Sequence, residues 1–199
     1  DKFTYITPPA PTVTGLSVTS GYTVLSSTVL VNGANYLAVS RVTLNGVTVP
    51  FSRLSDTQLR LTLPVHTAGV FDIQVTTPGG TSAAGAADRF TYVTPSTPTI
   101  TGLSVTSGAA TASTTVLVNG TGFVKVSRVT VGGVAIGFTQ VSDTQLKVTL
   151  PRHATGVVDI QVTAAGGTSA LSSADRFTYA ASASAFGAWP TRVLHWLGF

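Results

Sequence analysis

The chain has 199 residues, 43% of them hydrophobic and only 9% charged, against about 25% charged in ordinary soluble domains, so hydroxyls and backbone carry much of its solubility. The absence of cysteine excludes disulfide scaffolds and thiolate metal sites, and no stretch approaches the ~20 apolar residues of a membrane-spanning helix. The formal net charge of +4 comes from 11 basic and 7 acidic residues; the basic ones are scattered singly, with no run that would track a phosphate backbone, which argues against a nucleic-acid partner.

The chain opens on Asp1-Lys2-Phe3-Thr4-Tyr5, which returns as Asp88-Arg89-Phe90-Thr91-Tyr92 and as Asp175-Arg176-Phe177-Thr178-Tyr179. The spacing is 87 residues each time, and residues 1–87 placed over 88–174 agree at 53 positions without a gap. Such a period marks tandem copies of one structural unit. The first motif reads as the closing strand of a preceding repeat, with an edge strand offered to a neighbouring molecule as the alternative. With no methionine in the chain, initiator included, the sequence reads as a processed chain or as a segment of a longer one. The segments before each repeat, Thr7-Pro8-Pro9-Ala10-Pro11 and Thr94-Pro95-Ser96-Thr97-Pro98, favour extended, stiff backbone and so a rod.

Within the first repeat, 12–18 reads as an opening strand and 27–32 as a second, with Val29 and Val31 on one face. Residues 40–44 follow with Val42 and Leu44 inward. Asn45-Gly46, and Gly132-Gly133 in the second copy, then supply the positive-φ pair of a tight turn into 47–51. The run 57–63 alternates Leu59, Leu61 and Leu63 against Gln58, Arg60 and Thr62, and stops at Pro64. A strand over 70–76 and the closing strand with Phe90 and Tyr92 complete the unit. Period-two alternation with turns every 8 to 12 residues predicts seven antiparallel strands in a β-sandwich. Leu30 and Leu117 fall between inward pairs and so point outward, where a neighbouring domain or subunit would cover them; an isolated exposed leucine is the plainer alternative.

Several short motifs, in this order and spacing, resemble the IPT/TIG domain. They are Pro-x-Val-x-Gly-Leu-Ser at 11–17, Thr-Val-Leu-Val-Asn-Gly-Ala-Asn-Tyr at 28–36, Arg-Val-Thr-Leu-Asn-Gly at 41–46, the run 69–82 ending in Pro78-Gly79-Gly80-Thr81-Ser82, and Asp-Arg-Phe-Thr-Tyr at 88–92. The resemblance covers residues 8–180. It implies an all-β chain of two tandem immunoglobulin-like β-sandwiches of the E-set type, in an extended rod. The parts would be an orphan closing strand at 1–7, one domain at 8–93, a second at 94–180, and a linker with an aromatic tail at 181–199. The second copy departs from the family at Ala164-Ala165, which predicts a locally altered hairpin. In function the family implies a non-catalytic spacer or adhesive module of an extracellular bacterial surface or filament protein. The alternatives are an accessory or carbohydrate-binding module of a secreted enzyme and a DNA-contacting dimerisation domain; fold analogy alone does not choose among them.

Chemistry-bearing residues are few. His66 and His153 occupy equivalent positions after a proline, without the further ligands of a metal centre. Asp56, Asp72 and Asp88, with Asp143, Asp159 and Asp175, are the only acids besides Asp1, and there is no Glu. The Asp56 carboxylate is expected on backbone N–H groups of its turn, and ion pairs of Asp72 or Asp88 with Arg41 or Arg89 are conceivable. No Gly-x-Ser-x-Gly elbow occurs, and no helix follows the Gly-Gly pairs to make them phosphate loops. We therefore expect no enzyme activity, cofactor or metal. The remaining signal is aromatic. Residues 186–199 hold both tryptophans, and Phe3, Tyr5, Trp189, Trp196 and Phe199, together with Leu30 and Leu117, are the expected contacts with another subunit or partner, with fold-back of the tail on its own domain as the alternative. The partner is protein, by self-association or neighbouring repeats, with a glycan as the alternative, and the location is extracellular or cell surface.

Overall fold

The computed structural model describes residues 2, 4 and 6–181; the expected contacts Phe3, Tyr5, Trp189, Trp196 and Phe199 lie outside them. Two units emerge, Asp1–Thr97 with Ala165–Gly167, and Pro98–Ala164 with Thr168–Phe199. Each has its own apolar core.

The first repeat contains β1 (Thr12–Leu16), β2 (Ser20–Tyr22), β3 (Ser27–Ala34), β4 (Arg41–Leu44), β5 (Val47–Thr48), β6 (Phe51–Ser55), β7 (Gln58–Leu63), β8 (Gly69–Thr77), β9 (Gly80–Thr81) and β10 (Arg89–Val93). One sheet runs β1-β3-β7-β6; the other runs β2-β10-β8-β4-β5, with β9 beside β8. The second repeat repeats this with β11 (Thr99–Leu103), β12 (Ser107–Ala109), β13 (Thr114–Thr121), β14 (Arg128–Val131), β15 (Val134–Ile136), β16 (Phe138–Ser142), β17 (Gln145–Leu150), β18 (Gly156–Ala164), β19 (Gly167–Thr168) and β20 (Arg176–Ala180). The two copies share one strand order, as a gapless alignment requires.

The alternation places the core where it was expected. Val29, Val31, Val42, Leu59, Leu61, Leu63, Ile73, Val75 and Phe90 are fully buried, and Leu44 and Tyr92 nearly so. Asn45 and Gly46 turn the β4–β5 hairpin with φ of 47° and 83°, and Gly132 and Gly133 do so at 54° and 83°, values open to Gly and Asn at little cost. The closing tyrosines lock each sandwich. Tyr92 Oη donates to Pro64 O at 2.7 Å and Tyr179 Oη to Pro151 O at 2.9 Å, tying the last strand to the loop after β7 or β17.

Three features differ from the reading of the sequence. The opening strand expected over 12–18 ends at Leu16 and pairs with β3, and an unexpected short strand, β2, follows it and pairs in parallel with β10, so the chain crosses between sheets at 17–19 and the sandwich is not wholly antiparallel. The strand expected over 47–51 likewise divides. β5 stays with β4, and β6 joins β7 in the opposite sheet; repeat 2 divides in the same way at Gly137, so the switch does not depend on the missing N–H of Pro50. The altered hairpin at Ala164-Ala165 keeps its backbone: Gly80 and Gly167 both have φ of 123°. What repeat 2 lacks there is the Thr77 Oγ1 that accepts from Gly79 N at 3.3 Å.

Each proline-rich lead-in packs against a Gly-Gly hairpin. A Cβ on Gly79 would stand 2.3 Å from Pro9 O, and one on Gly166 would stand 2.0 Å from Ser96 O. The glycines admit this close approach, which is their reason for being there.

Candidate functional site

Among the described residues six ionisable side chains form three ion pairs. Arg53 forms an ion pair with Asp56 and donates from Nε to Tyr36 O at 2.7 Å. At the equivalent place Gln140 Nε2 donates to Phe123 O at 2.6 Å. The 55–57 turn is held by Ser55 Oγ, which accepts from Thr57 N at 3.1 Å, so the expected role of Asp56 in that turn falls to Ser55. Arg89 meets Asp72 across strands at 3.5 Å, and Arg176 meets Asp159 at 3.6 Å; both pairs are solvent-exposed and contribute at most about 1 kcal/mol. Asp88 makes no such pair. Buried at the head of β10, it accepts from Gly85 N through Oδ1 at 3.0 Å, and Asp175 accepts from Ser172 N at 2.8 Å.

The histidines are placed by packing. The His66 ring lies 4.2 Å from that of Phe71 and 5.3 Å from Tyr92, centroid to centroid, and His153 stacks on Tyr179 at 5.0 Å. Each Nδ1 donates to the next residue's carbonyl, Thr67 O at 3.2 Å and Ala154 O at 2.9 Å. Among the described residues no group of three or more His, Cys, Asp or Glu is placed to hold a metal ion, and no helix is long and apolar enough to cross a membrane.

Leu30 and Leu117 are half-buried between fully buried Val29 and Val31, and Val116 and Val118. They stand on the outer face of their sheets, opposite Arg60 and Lys147 respectively. Neither is brought together with a second large apolar side chain across that register.

Two concavities stand out, one on each repeat. The first lies at the leading end of repeat 1, a groove of about 190 Å³ between Pro8 and Pro9, the hairpin residues Thr77 and Pro78, and the loop carrying Leu37 and Ala38. Asn35 completes it and ties loop to lead-in, its Nδ2 donating to Ala10 O at 3.0 Å. The second is a shallow cleft of about 370 Å³ on repeat 2, lined by Gly137, Phe138, Thr139, Lys147 and Thr149. Periodicity does not find the groove, because its walls come from segments up to 70 residues apart that, apart from Thr77 at the end of β8, lie in loops, with Asn35 directly after β3. The available signal was local: Leu37 is a large aliphatic in a turn.

The sequence profile described as the IPT/TIG domain matches residues 11–92 and again 98–179. The chain belongs to the IPT/TIG family, as two tandem copies. Among solved structures, SGBP-B from a xyloglucan utilization locus of Bacteroides uniformis is similar at 19% identity and a TM-score of 0.42, over 81% of this chain and 48% of that one. The plexin A4 extracellular region is similar at 16% identity and a TM-score of 0.42, over 85% of this chain and 18% of that one. A chimeric titin Z1Z2 is similar at 15% identity and 0.48, over 89% of this chain and all of that one. The chain spans about half the length of the first of these or less of the second. No curated protein matches.

Proposed function

We propose that this tandem IPT/TIG chain is a non-catalytic structural repeat of an extracellular bacterial surface or filament protein, a rigid spacer that makes subunit contacts at its ends. One observation carries the reading. Exposed aliphatics recur at the same place in both copies, as Val47 and Val134 (each 67% exposed), Leu54 and Val141, and Val70 and Val157. A scattered exposed aliphatic is ordinary, but the same set kept at equivalent positions of both copies offers each repeat the same apolar contact points to a neighbouring molecule. Half-buried Leu30 and Leu117 extend the series. Phe3, Tyr5, Trp189, Trp196 and Phe199 add the aromatic anchors.

The test is the oligomeric state. Full-length protein should self-associate by light scattering and form filaments by electron microscopy, and a chain ending at Ala181 should remain monomeric. Equal association by the truncated chain would refute the role given to the tail. The cleft at Phe138, Thr139 and Lys147 supports a second reading, a glycan-binding module. That reading is weaker because Phe138 packs against the core and is not free to stack flat on a sugar. Binding on a glycan array, lost in Lys147→Ala, would reverse the order of the two.

A further inference from the structure

The groove at the leading end of repeat 1 is not a shared feature of the two copies. The repeats agree at 53 of 87 positions, yet of the residues lining the groove only Pro8 is kept, as Pro95. Pro9 becomes Ser96, Asn35 becomes Gly122, Leu37 becomes Val124, Ala38 becomes Lys125, and Thr77 and Pro78 become Ala164 and Ala165. Lys125 would place an ammonium where repeat 1 has a methyl group. An apolar socket has therefore been kept or built at this one end of the chain.

The socket is also preformed. Asn35 and Ala38 hold φ of 63° and 55°, a left-handed conformation that L side chains rarely adopt, and the loop so shaped leaves Leu37 68% exposed. The Asn35 bond to Ala10 and the seating of Gly79 under Pro8 and Pro9 fix the opposite wall. A rigid apolar concavity with an exposed leucine at its lip binds by losing little entropy. At about 190 Å³ it has room for one aromatic ring, since a 150 Å³ apolar cavity holds benzene.

The chain carries a fitting occupant. Residues 186–199 contain Phe186, Trp189, Trp196 and Phe199, have no acid and a single Arg, and the groove lining holds no charged residue that would have to be stripped of water. In repeat 2 the closing strand β20 leaves beside Gly156 and Ala109. This is the end opposite the lead-in, with the nine residues of β18, about 30 Å of strand, between them. The tail is thus joined to the trailing end of repeat 2, while the socket lies at the leading end of repeat 1, so a contact between them in different copies would be heterologous. We infer that the aromatic tail of one copy inserts into the Pro8–Leu37–Pro78 socket of the next, so that copies join head to tail. This rests on the self-associating reading above and names its contact.

Both tryptophans of the chain lie in the tail at 189 and 196, so tryptophan emission, excited at the red edge where tyrosine does not absorb, reports on it alone. Full-length protein is followed over a 1,000-fold dilution series, on the order of the affinity range that weak interfaces span, by tryptophan emission and sedimentation velocity together. The inference expects emission to move to the blue as the sedimentation coefficient rises. It expects Leu37→Arg, on an exposed loop residue, and Ala38→Lys, which copies repeat 2, to weaken both changes at least tenfold while circular dichroism is unchanged. Wild-type behaviour of both variants overturns it. Blue emission that does not depend on concentration also overturns it, placing the tail on its own copy. Association with unmoved tryptophan emission refutes the socket and leaves the self-associating repeat standing, whereas no association at any concentration refutes both.

Discussion

Replacing Tyr36 by phenylalanine should make repeat 1 more stable, contrary to the usual effect of a core substitution. Tyr36 is fully buried and its hydroxyl has no hydrogen-bond partner among the described residues. At the same place in repeat 2 Phe123 is equally buried and needs none. An unsatisfied buried hydroxyl costs about 1–3 kcal/mol, and the small void left by removing it returns only part of that. We expect Tyr36→Phe to gain about 1 kcal/mol at pH 7, which is 4–8 °C in the melting of a domain this size. The alkaline limb supplies an independent check. Burial pushes the Tyr36 phenol from 10.0 up to about 12, so between these values the folded chain keeps a proton that the unfolded chain gives up. Stability contributed below pH 10 is then lost as pH rises through 12, by about 2–3 kcal/mol in all. Burial also raises Tyr92 and Tyr179, so the Tyr36 share is read as the difference between wild type and variant. Circular-dichroism melts at pH 7 and pH 11, with amide exchange at Leu59 and Leu61 to localise the effect, decide the matter. A variant less stable than wild type by 1 kcal/mol or more at pH 7 would show that the hydroxyl is satisfied and the reasoning wrong.

The two closing tyrosines should behave oppositely. Tyr92→Phe and Tyr179→Phe each forfeit the bond to Pro64 O or Pro151 O and should cost about 1 kcal/mol, measured by urea denaturation. Gly33→Ala and Gly120→Ala place a Cβ 1.9 Å from Thr12 O and 2.1 Å from Thr99 O. The loss should be about 3 kcal/mol or more, since the nearest obstacle is backbone and cannot swing away. Gly46→Ala, with open space around it but φ of 83°, should cost only about 1–2 kcal/mol for the left-handed conformation. Equal losses at Gly33 and Gly46 would contradict the distinction. Arg89→Ala should lower stability by less than about 1 kcal/mol, an effect that fades by 1 M salt in the same denaturation assay.

The comparison of sequence and structure turns on how far apart the deciding residues are. Alternation in Gln58–Leu63 is a local property: side chains two apart must share a face, so Leu59, Leu61 and Leu63 were legible as core without any partner strand. The Asn45-Gly46 turn was legible for the same reason, since φ is set within the pair. Which sheet a strand joins is not local. Ser20–Tyr22 carries no apolar alternation, and it becomes a strand because β10, some 70 residues later, offers it an unpaired edge. The same holds for Asp88, whose buried place beside Gly85 replaced the ion pair conceivable from sequence, and for the groove, assembled from three loops that only the folded sandwich brings together. The sequence by itself determined the repeat, its period and the inward face of the strands that alternate, because these follow from spacing along one chain. The tertiary structure alone decided sheet membership, the partners of the polar groups and the socket at Leu37, because each depends on which distant backbone arrives alongside.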